Sequence, residues 1–269
     1  MTTAESRTQS HWIRLPRGRM FAQSWTPATP STQGSLPPLV LMHDSLGCVA
    51  MWRDLPELLA QATGRTVYAY DRLGYGQSDA VSEPPGTDFV AAEAEQSFPA
   101  VREQLGLERY VLLGHSVGSG MSLEIAARAA VACEAVVTIA GQAFVEEHTR
   151  SGIRVAREQF QNPEHLARLA KYHGDKARWV VDAWTETWLS PEFANWSVQA
   201  ALPRIHCPVL AMHGELDEYG TPEHPQRIAS GVSGPAQALI IPGAHHMPHR
   251  EMPELVIEQV VRFLAQLPG

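Results

Sequence analysis

The chain has 269 residues, of which 44% are hydrophobic and 19% are charged, and its formal net charge at pH 7 is -8. This length can bury one sizeable core, and the composition excludes a disordered or fibrous chain. The negative charges are spread along the chain, which argues against nucleic acid as a partner, because proteins that bind it present a positive face to the phosphates.

The N-terminal segment, residues 1–10, is polar and lacks the apolar run of a signal peptide. No later stretch reaches the roughly 18 consecutive apolar residues that suggest a membrane span. We therefore expect a cytoplasmic protein with no membrane partner. These features leave the oligomeric state open.

Short apolar runs alternate with helical patterns along the first half of the chain. The predicted strands are residues 39–42, 66–70, 110–113 and 135–140. The predicted helices between them are residues 51–62, 88–105 and 117–130. This alternation is typical of βαβ units, and it predicts an α/β fold with a mostly parallel central sheet and helices on both faces.

The rhythm changes after Gly141, where a long helical pattern intervenes before the next apolar run. The elements predicted beyond it are a strand at 208–212, a helix at 221–230, a strand at 237–241 and a closing helix at 254–267. The simplest interpretation is a core domain, residues 1–140 and 204–269, interrupted by a helical cap (lid), residues 141–203.

The strongest local signal is the pentapeptide GHSVG at residues 114–118, directly after a predicted strand and at the start of a predicted helix. A serine on so sharp a strand-to-helix turn is a nucleophile elbow. Flanking glycines permit the close backbone approach, and the hydroxyl is exposed at the carboxyl edge of the sheet. The pattern therefore predicts Ser116 as a nucleophile.

A serine hydroxyl is a weak nucleophile at neutral pH, so this interpretation requires a histidine base and an acid that orients it. In this architecture both follow the serine, the acid first and the histidine second, in loops after later strands. The loop after residues 208–212 offers Glu215, Asp217 and Glu218. The loop after residues 237–241 offers His245, His246 and His249.

These ordered motifs, spread over residues 21–267, resemble the α/β-hydrolase superfamily and, within it, capped serine esterases and lactonases. The resemblance implies the α/β-hydrolase fold, with the cap inserted after the sixth strand. It also implies that the GELD turn at 214–217 makes Asp217 the acid. In the PGAHH segment at 242–246, His245 takes the place of the family's glycine and His246 the catalytic place.

A predicted oxyanion hole consists of two backbone amides, since the tetrahedral intermediate of acyl transfer needs preorganised donors. One is the amide of Val117, and the other is the amide of Ser45 in the loop HDSLG at residues 43–47. This loop resembles the family's His-Gly-x-x-Gly motif, with Asp44 in the place of the glycine. We expect the side chain of His43 to hold the loop in place.

The predicted cap is rich in tryptophan, which would form an apolar roof over a pocket. The residues that we predict to line the substrate pocket are His43, Trp184 and Trp188. The expected substrate is a small hydrophobic or aromatic carbonyl compound. No metal is predicted, because the three cysteines have no ligand spacing. No cofactor is predicted either, because the glycine-rich turn at 71–78 lacks the dinucleotide-binding spacing.

Three functional hypotheses remain at this stage. The first is a serine hydrolase that cleaves a carboxylic ester or lactone through an acyl-enzyme. The second is a carbon–carbon bond hydrolase or a cofactor-independent dioxygenase on the same fold, with His246 as the essential base. The third is a ligand receptor without catalytic activity.

Overall fold

The computed structural model describes residues 6–28, 36–129 and 131–267. Residues 1–5 of the polar N-terminal segment, and Ala130 at the end of the predicted helix 117–130, lie outside the described residues. The strands are β1 (Arg7–Leu15), β2 (Gly18–Thr26), β3 (Leu39–Met42), β4 (Val67–Tyr70), β5 (Tyr110–His115), β6 (Cys133–Ile139), β7 (Val209–Gly214) and β8 (Ala236–Ile241).

These strands form an eight-stranded sheet in the order β1-β2-β4-β3-β5-β6-β7-β8. The pairs β1 with β2 and β2 with β4 are antiparallel, and the remaining pairs are parallel. The expected mostly parallel sheet is thereby confirmed. The first central strand β3 and the strand β5 are neighbours, so the loops at their carboxyl ends meet.

The helices cover both faces of the sheet. They are α1 (Leu55–Thr63), α2 (Phe89–Ala92), α3 (Phe98–Gln104), α4 (Val117–Arg128), α5 (Glu147–Gln159), α6 (Pro163–His173), α7 (Ala177–Leu189), α8 (Glu223–Gly231), α9 (Pro248–Glu251) and α10 (Pro253–Leu264). Helices α5, α6 and α7, which we name the cap helices, follow β6 and precede β7. No helix in the described part of the chain is long and apolar enough to cross a membrane.

The core has two halves because successive side chains of a buried strand point to opposite faces of the sheet. In β3, Leu39 and Leu41 pack with α1 and α10 on one face. Val40 and Met42 pack with α4 on the other face. Burial on both faces explains why the central strands read as continuous apolar runs rather than as alternating patterns.

Two predicted helices differ in detail from the structure, and proline explains both differences. Helix α1 begins at Leu55 instead of residue 51, because Pro56 in its first turn has no N–H for an earlier turn to bond. A π-helical turn, Glu93–Ser97, interrupts the helix predicted over 88–105. Pro99 follows it and removes one α-helical hydrogen bond.

Candidate active site

The turn between β5 and α4 holds Ser116 in a strained backbone conformation, with φ 54° and ψ -124°. Two glycines make this turn possible. A Cβ atom on Gly114 would lie 2.3 Å from the carbonyl oxygen of Gly118, and one on Gly118 would lie 2.1 Å from that of Met42. The sequence thus folds into a sharp elbow because side chains are absent at these two positions.

Replacing Gly118 by alanine should destabilise the protein by about 3 kcal/mol, because a backbone carbonyl cannot yield to the added methyl group as a flexible side chain could. Urea unfolding measures this change. Gly106→Ala is the matched control. Gly106 has a positive φ of 65° but no atom within 4 Å of the added Cβ, so only about 1 kcal/mol of backbone strain is expected. Equal unfolding midpoints for the two variants would contradict the steric explanation of the elbow.

His246 and Asp217 are brought together by the loops after β8 and β7. Nδ1 of His246 lies 2.9 Å from both carboxylate oxygens of Asp217. The Asp217 side chain is fully buried, whereas the His246 side chain is 10% exposed. The imidazole therefore has one nitrogen fixed by a buried carboxylate, which also fixes its tautomer with Nδ1 protonated.

Asp217 has two further partners that hold it in place. The backbone N–H of Tyr219 donates to Oδ1 at 2.7 Å. Nε2 of His213 lies 3.0 Å from the Gly220 carbonyl oxygen and 3.1 Å from Oδ2. Because a carbonyl only accepts, Nε2 of His213 carries the proton and donates it to Gly220, so that a protonated nitrogen also faces Oδ2 of Asp217. Burial lowers the pKa of His213 to about 4, so this imidazole is neutral at pH 7.

The charges of the pair reinforce each other. Burial raises the pKa of Asp217, but the charge and hydrogen bond of His246 outweigh it and the net pKa lies below the ordinary value. Burial lowers the pKa of His246, but the Asp217 carboxylate outweighs it and the net pKa lies above the ordinary value. The protonated imidazole is thus stabilised where a general base would have to accept a proton.

The hydroxyl of Ser116 donates to Oε1 of Gln142 at 3.4 Å. In residues 6–28, 36–129 and 131–267, no hydrogen bond joins this hydroxyl to His246. Both side chains nevertheless line the same cavity. Hydrogen bonds between a nucleophile and its base are often long before substrate binds and shorten in the reacting complex.

The cavity has a volume of about 430 Å³. Apolar side chains dominate its walls: Leu46, Met51, Ile153, Phe160, Leu169 and Met247. Trp184 and Trp188, predicted from the sequence as pocket residues, both line it. Trp188 is buried and packs edge-on against Phe193 and Trp196, so it also belongs to the core beneath the cavity. The space fits a small, largely apolar ligand.

The loop between β3 and the turn at Val49 lies at one wall of the cavity. It contributes Asp44 and Ser45 to the lining, beside Ser116. In the described part of the chain, the amides of Ser45 and Val117 have no hydrogen-bond acceptor. Two N–H groups beside the candidate nucleophile are therefore available to an incoming oxygen.

The prediction that His43 lines the pocket needs correction. Its side chain is 2% exposed and lies behind the loop, where Nδ1 is 2.8 Å from the Asp44 carbonyl oxygen. On its other side, Nε2 accepts hydrogen bonds from the main chain and guanidinium of Arg72. The residue holds the loop against the turn after β4, which leaves its imidazole no access to the cavity.

Sequence reasoning gave no role to several residues of this site. Gln142 follows β6 without any motif, so no signal in the sequence identifies it. Glu218 was offered only as an alternative acid, but it lines the cavity and accepts the backbone N–H of His246 at 3.2 Å. The sequence feature that could have identified Glu218 as a site residue is its position directly after Asp217. His115, next to Ser116, is completely buried behind the elbow.

Comparison with known proteins finds relatives with several activities. Over 86 residues the chain is 35% identical to a proline iminopeptidase of Lactobacillus delbrueckii, covering 32% of this chain and 29% of the relative. The chain thus matches less than a third of that relative's length. A solved proline iminopeptidase from Mycobacterium smegmatis is 24% identical with a TM-score of 0.72, covering 96% of this chain and 98% of the other.

A solved enol-lactonase from Burkholderia xenovorans is 18% identical with a TM-score of 0.71, covering 95% of this chain and 100% of the other. These likenesses to solved structures establish the fold. A family model described as alpha/beta hydrolase fold matches residues 37–253. The chain therefore belongs to the α/β-hydrolase family.

Proposed function

We propose that the chain is a serine hydrolase that cleaves a carboxylic ester or lactone through an acyl-enzyme. The observation that carries this proposal is the arrangement around one cavity. Ser116 stands on a strained elbow, and His246 is oriented by the buried Asp217. A weak nucleophile, a base and an orienting acid in this order are the parts that acyl transfer requires.

In the proposed reaction the hydroxyl oxygen of Ser116 attacks the substrate carbonyl and gives its proton to Nε2 of His246. Asp217 stabilises the resulting imidazolium, and the amides of Ser45 and Val117 bind the oxyanion. His246 then protonates the leaving alcohol, and the acyl group stays on Ser116. Water repeats the sequence on the acyl-enzyme, which releases the acid and restores the hydroxyl.

We further propose that residues 141–203 act as a cap over a core of residues 1–140 and 204–269. The cap helices supply apolar side chains to the cavity, among them Ile153, Leu169 and Trp184. Such walls favour a small hydrophobic or aromatic carbonyl substrate, since apolar lining removes its surface from water.

The ester proposal has to be tested against a peptide with a free terminal amine, because a carboxylate on the cavity wall could bind an ammonium group. Asp44 lies beside His115, whereas Glu218, within the described residues, accepts only the neutral backbone N–H of His246. Parallel assays with aryl esters and aminoacyl arylamides of equal size test this choice, and faster turnover of the arylamides would reverse it.

Labelling with a fluorophosphonate probe tests the serine mechanism most directly. The probe reacts with activated serines, so we expect one adduct, on the peptide that contains Ser116, in digests analysed by mass spectrometry. A ligand receptor with an unactivated Ser116 would remain unlabelled. An adduct on another serine would also refute the assignment.

The pH dependence of hydrolysis should report the pKa of His246. Below this pKa the imidazole is protonated and cannot accept the proton of Ser116, so kcat/KM should fall as the pH falls through it. Because Asp217 raises the pKa, the inflection should lie above the ordinary histidine value of 6.5. Initial rates with an activated aryl ester from about pH 5 to pH 9 measure it.

His245→Gln is the control for this profile. The His245 side chain is 56% exposed and lies 3.4 Å from Glu251, outside the pair formed by His246 and Asp217. The inflection should stay where it is in this variant. If it moved or vanished, His245 rather than His246 would be the titrating base.

A second candidate function is favoured by the hydrogen bond from Ser116 to Gln142. With the hydroxyl turned toward Gln142, His246 faces the cavity as a base that could take a proton directly from an enolisable substrate. A carbon–carbon bond hydrolase or a cofactor-independent dioxygenase would use it in this way. Both need His246, and the dioxygenase needs Ser116 far less.

A further inference from the structure

A second histidine–carboxylate pair lies directly behind the elbow. Asp44 stands in the loop after β3 and lines the cavity, while His115 precedes Ser116 and is fully buried. Nδ1 of His115 is 3.3 Å from Oδ2 of Asp44. The other oxygen of Asp44 accepts the backbone N–H of Leu46 at 2.8 Å. A Cβ on Gly47 would lie 2.7 Å from Oδ2, so this glycine makes room for the carboxylate.

The hydrogen-bond partners of His115 fix how many protons it carries. Nε2 lies 2.8 Å from the backbone carbonyl oxygen of His246. A carbonyl oxygen can only accept, so Nε2 is protonated. Nδ1 faces a carboxylate, which also accepts. Both ring nitrogens therefore face acceptors. An imidazolium can donate to both, whereas a neutral imidazole has one N–H and would leave one acceptor without a donor.

We propose that Asp44 and His115 form a carboxylate–imidazolium pair and act as positioning residues for the proposed hydrolase reaction. The pair connects the loop at residues 43–47, which carries the amide of Ser45, to the elbow. Through the carbonyl of His246 it also connects this loop to the loop that carries the base. It also compensates the negative charge of Asp44, one residue before the amide of Ser45. An uncompensated carboxylate at this place would oppose the charge that develops on the oxyanion.

Burial and neighbouring charges act on three groups in and around the pair, which are Asp44, His43 and His249. Burial raises the pKa of Asp44, but the hydrogen bond with His115 and the charge of His115 outweigh burial and hold the pKa well below its ordinary value. Burial also lowers the pKa of His43 and His249 well below the ordinary value, and the charge of His115 contributes at His249. These two imidazoles are therefore neutral.

Other titratable groups face the pair from several elements. The His246 ring centroid lies 5.0 Å, and that of His249 4.5 Å, from the His115 ring. Asp44 also acts electrostatically on further groups, which are Cys48, Tyr75, His173, Tyr219 and Arg250. Among these groups, only His115 has an acceptor at both ring nitrogens. Nδ1 faces the Asp44 carboxylate, and Nε2 faces the carbonyl of His246.

Nuclear magnetic resonance of the histidine side chains tests the proton count without any assay of activity. In the ¹⁵N-labelled protein at about pH 8, a free imidazole is neutral. His115 should instead show two protonated nitrogens, with its signals assigned by their loss in His115→Gln. In Asp44→Asn, His115 should lose the proton on Nδ1. A single protonated nitrogen in the unmodified protein would overturn the proposal.

Kinetics test the charge compensation. His115→Gln leaves the Asp44 carboxylate unpaired, so kcat should fall about 100-fold, as when an oxyanion donor is lost, with KM changed far less. The double variant Asp44→Asn, His115→Gln removes both charges and should recover at least about tenfold of that loss. A purely structural role predicts that the double variant is as slow as His115→Gln or slower, which would refute compensation.

The two experiments separate this proposal from the proposed function. If the unmodified protein neither hydrolyses esters nor reacts with a fluorophosphonate, the serine mechanism fails while the proton count of His115 can still be read. If it hydrolyses esters but His115 has one protonated nitrogen, only the pair is wrong. Circular dichroism in the near ultraviolet checks that each variant is folded. If His115→Gln does not fold, loss of the Nδ1 proton of His115 in Asp44→Asn still tests the proposal.

Discussion

Replacing Ser116 by alanine should lower turnover of activated esters by about 100,000-fold, as expected when the nucleophile of a Ser-His-Asp unit is removed. The fold should survive, because alanine is no larger than serine and the hydroxyl makes only one hydrogen bond within the described residues, to Gln142 at 3.4 Å. The backbone at φ 54° is strained for either residue. Initial-rate kinetics and urea unfolding of the same preparation measure the two effects.

Ser122→Ala is the matched control for this experiment. Ser122 lies on the same helix α4, is fully buried, and donates its hydroxyl to the carbonyl of Gly118 one turn earlier. It does not line the cavity, so its loss should change turnover by less than about threefold. Equal loss in the two variants would mean that Ser116 acts through packing and not through its hydroxyl.

His246→Ala separates the two candidate functions. A serine hydrolase should lose activity to a similar extent in Ser116→Ala and His246→Ala, because the residues act as a unit. A dioxygenase in which His246 deprotonates the substrate should lose activity in His246→Ala and keep most of it in Ser116→Ala. The substrates for this comparison are activated esters in one arm and enolisable aromatic compounds with dioxygen in the other.

The sheet could be predicted from the sequence where a strand is a continuous apolar run. Strands β3 and β5 are such runs because they are buried on both faces, and the elbow between β5 and α4 follows from two glycines and a serine. The hairpin of β1 and β2 gave no comparable signal. Most side chains of the edge strand β1 are exposed, so its sequence has no apolar run to detect.

Candidate site residues could be named from the sequence where a motif fixes both residue type and loop. Ser116, Asp217 and His246 belong to such motifs, and the structure places their loops around one cavity. Gln142 and His115 were missed because their positions depend on how separate strands meet. His43 holds its loop as expected but does not line the pocket, because the sequence gives no direction for a side chain and Arg72, which binds it, comes from the turn after another strand.

Asp217→Asn should lower kcat by about 10,000-fold while leaving the loop in place, because the acid orients the base without contacting substrate. Both carboxylate oxygens face donors: Oδ1 accepts the backbone N–H of Tyr219, and Oδ2 lies 3.1 Å from the protonated Nε2 of His213. Asparagine has one oxygen. Whichever way its amide turns, an NH₂ group replaces one of the two oxygens. That NH₂ group then faces either the N–H of Tyr219 or the protonated Nε2 of His213, so two donors meet without an acceptor.

The amide NH₂ also faces Nδ1 of His246, which would have to accept and would leave the proton on Nε2, the nitrogen that must receive the proton of Ser116. Two results should therefore appear together, a lower kcat and an inflection in the pH profile below that of the unmodified protein, since the charge that raises the pKa of His246 is gone. Glu215→Gln is the control in the same loop. Glu215 accepts the N–H of Gly243, which a glutamine oxygen also accepts, so rate and profile should not change. An Asp217→Asn enzyme with an unshifted inflection would show that another group sets the pKa of the base.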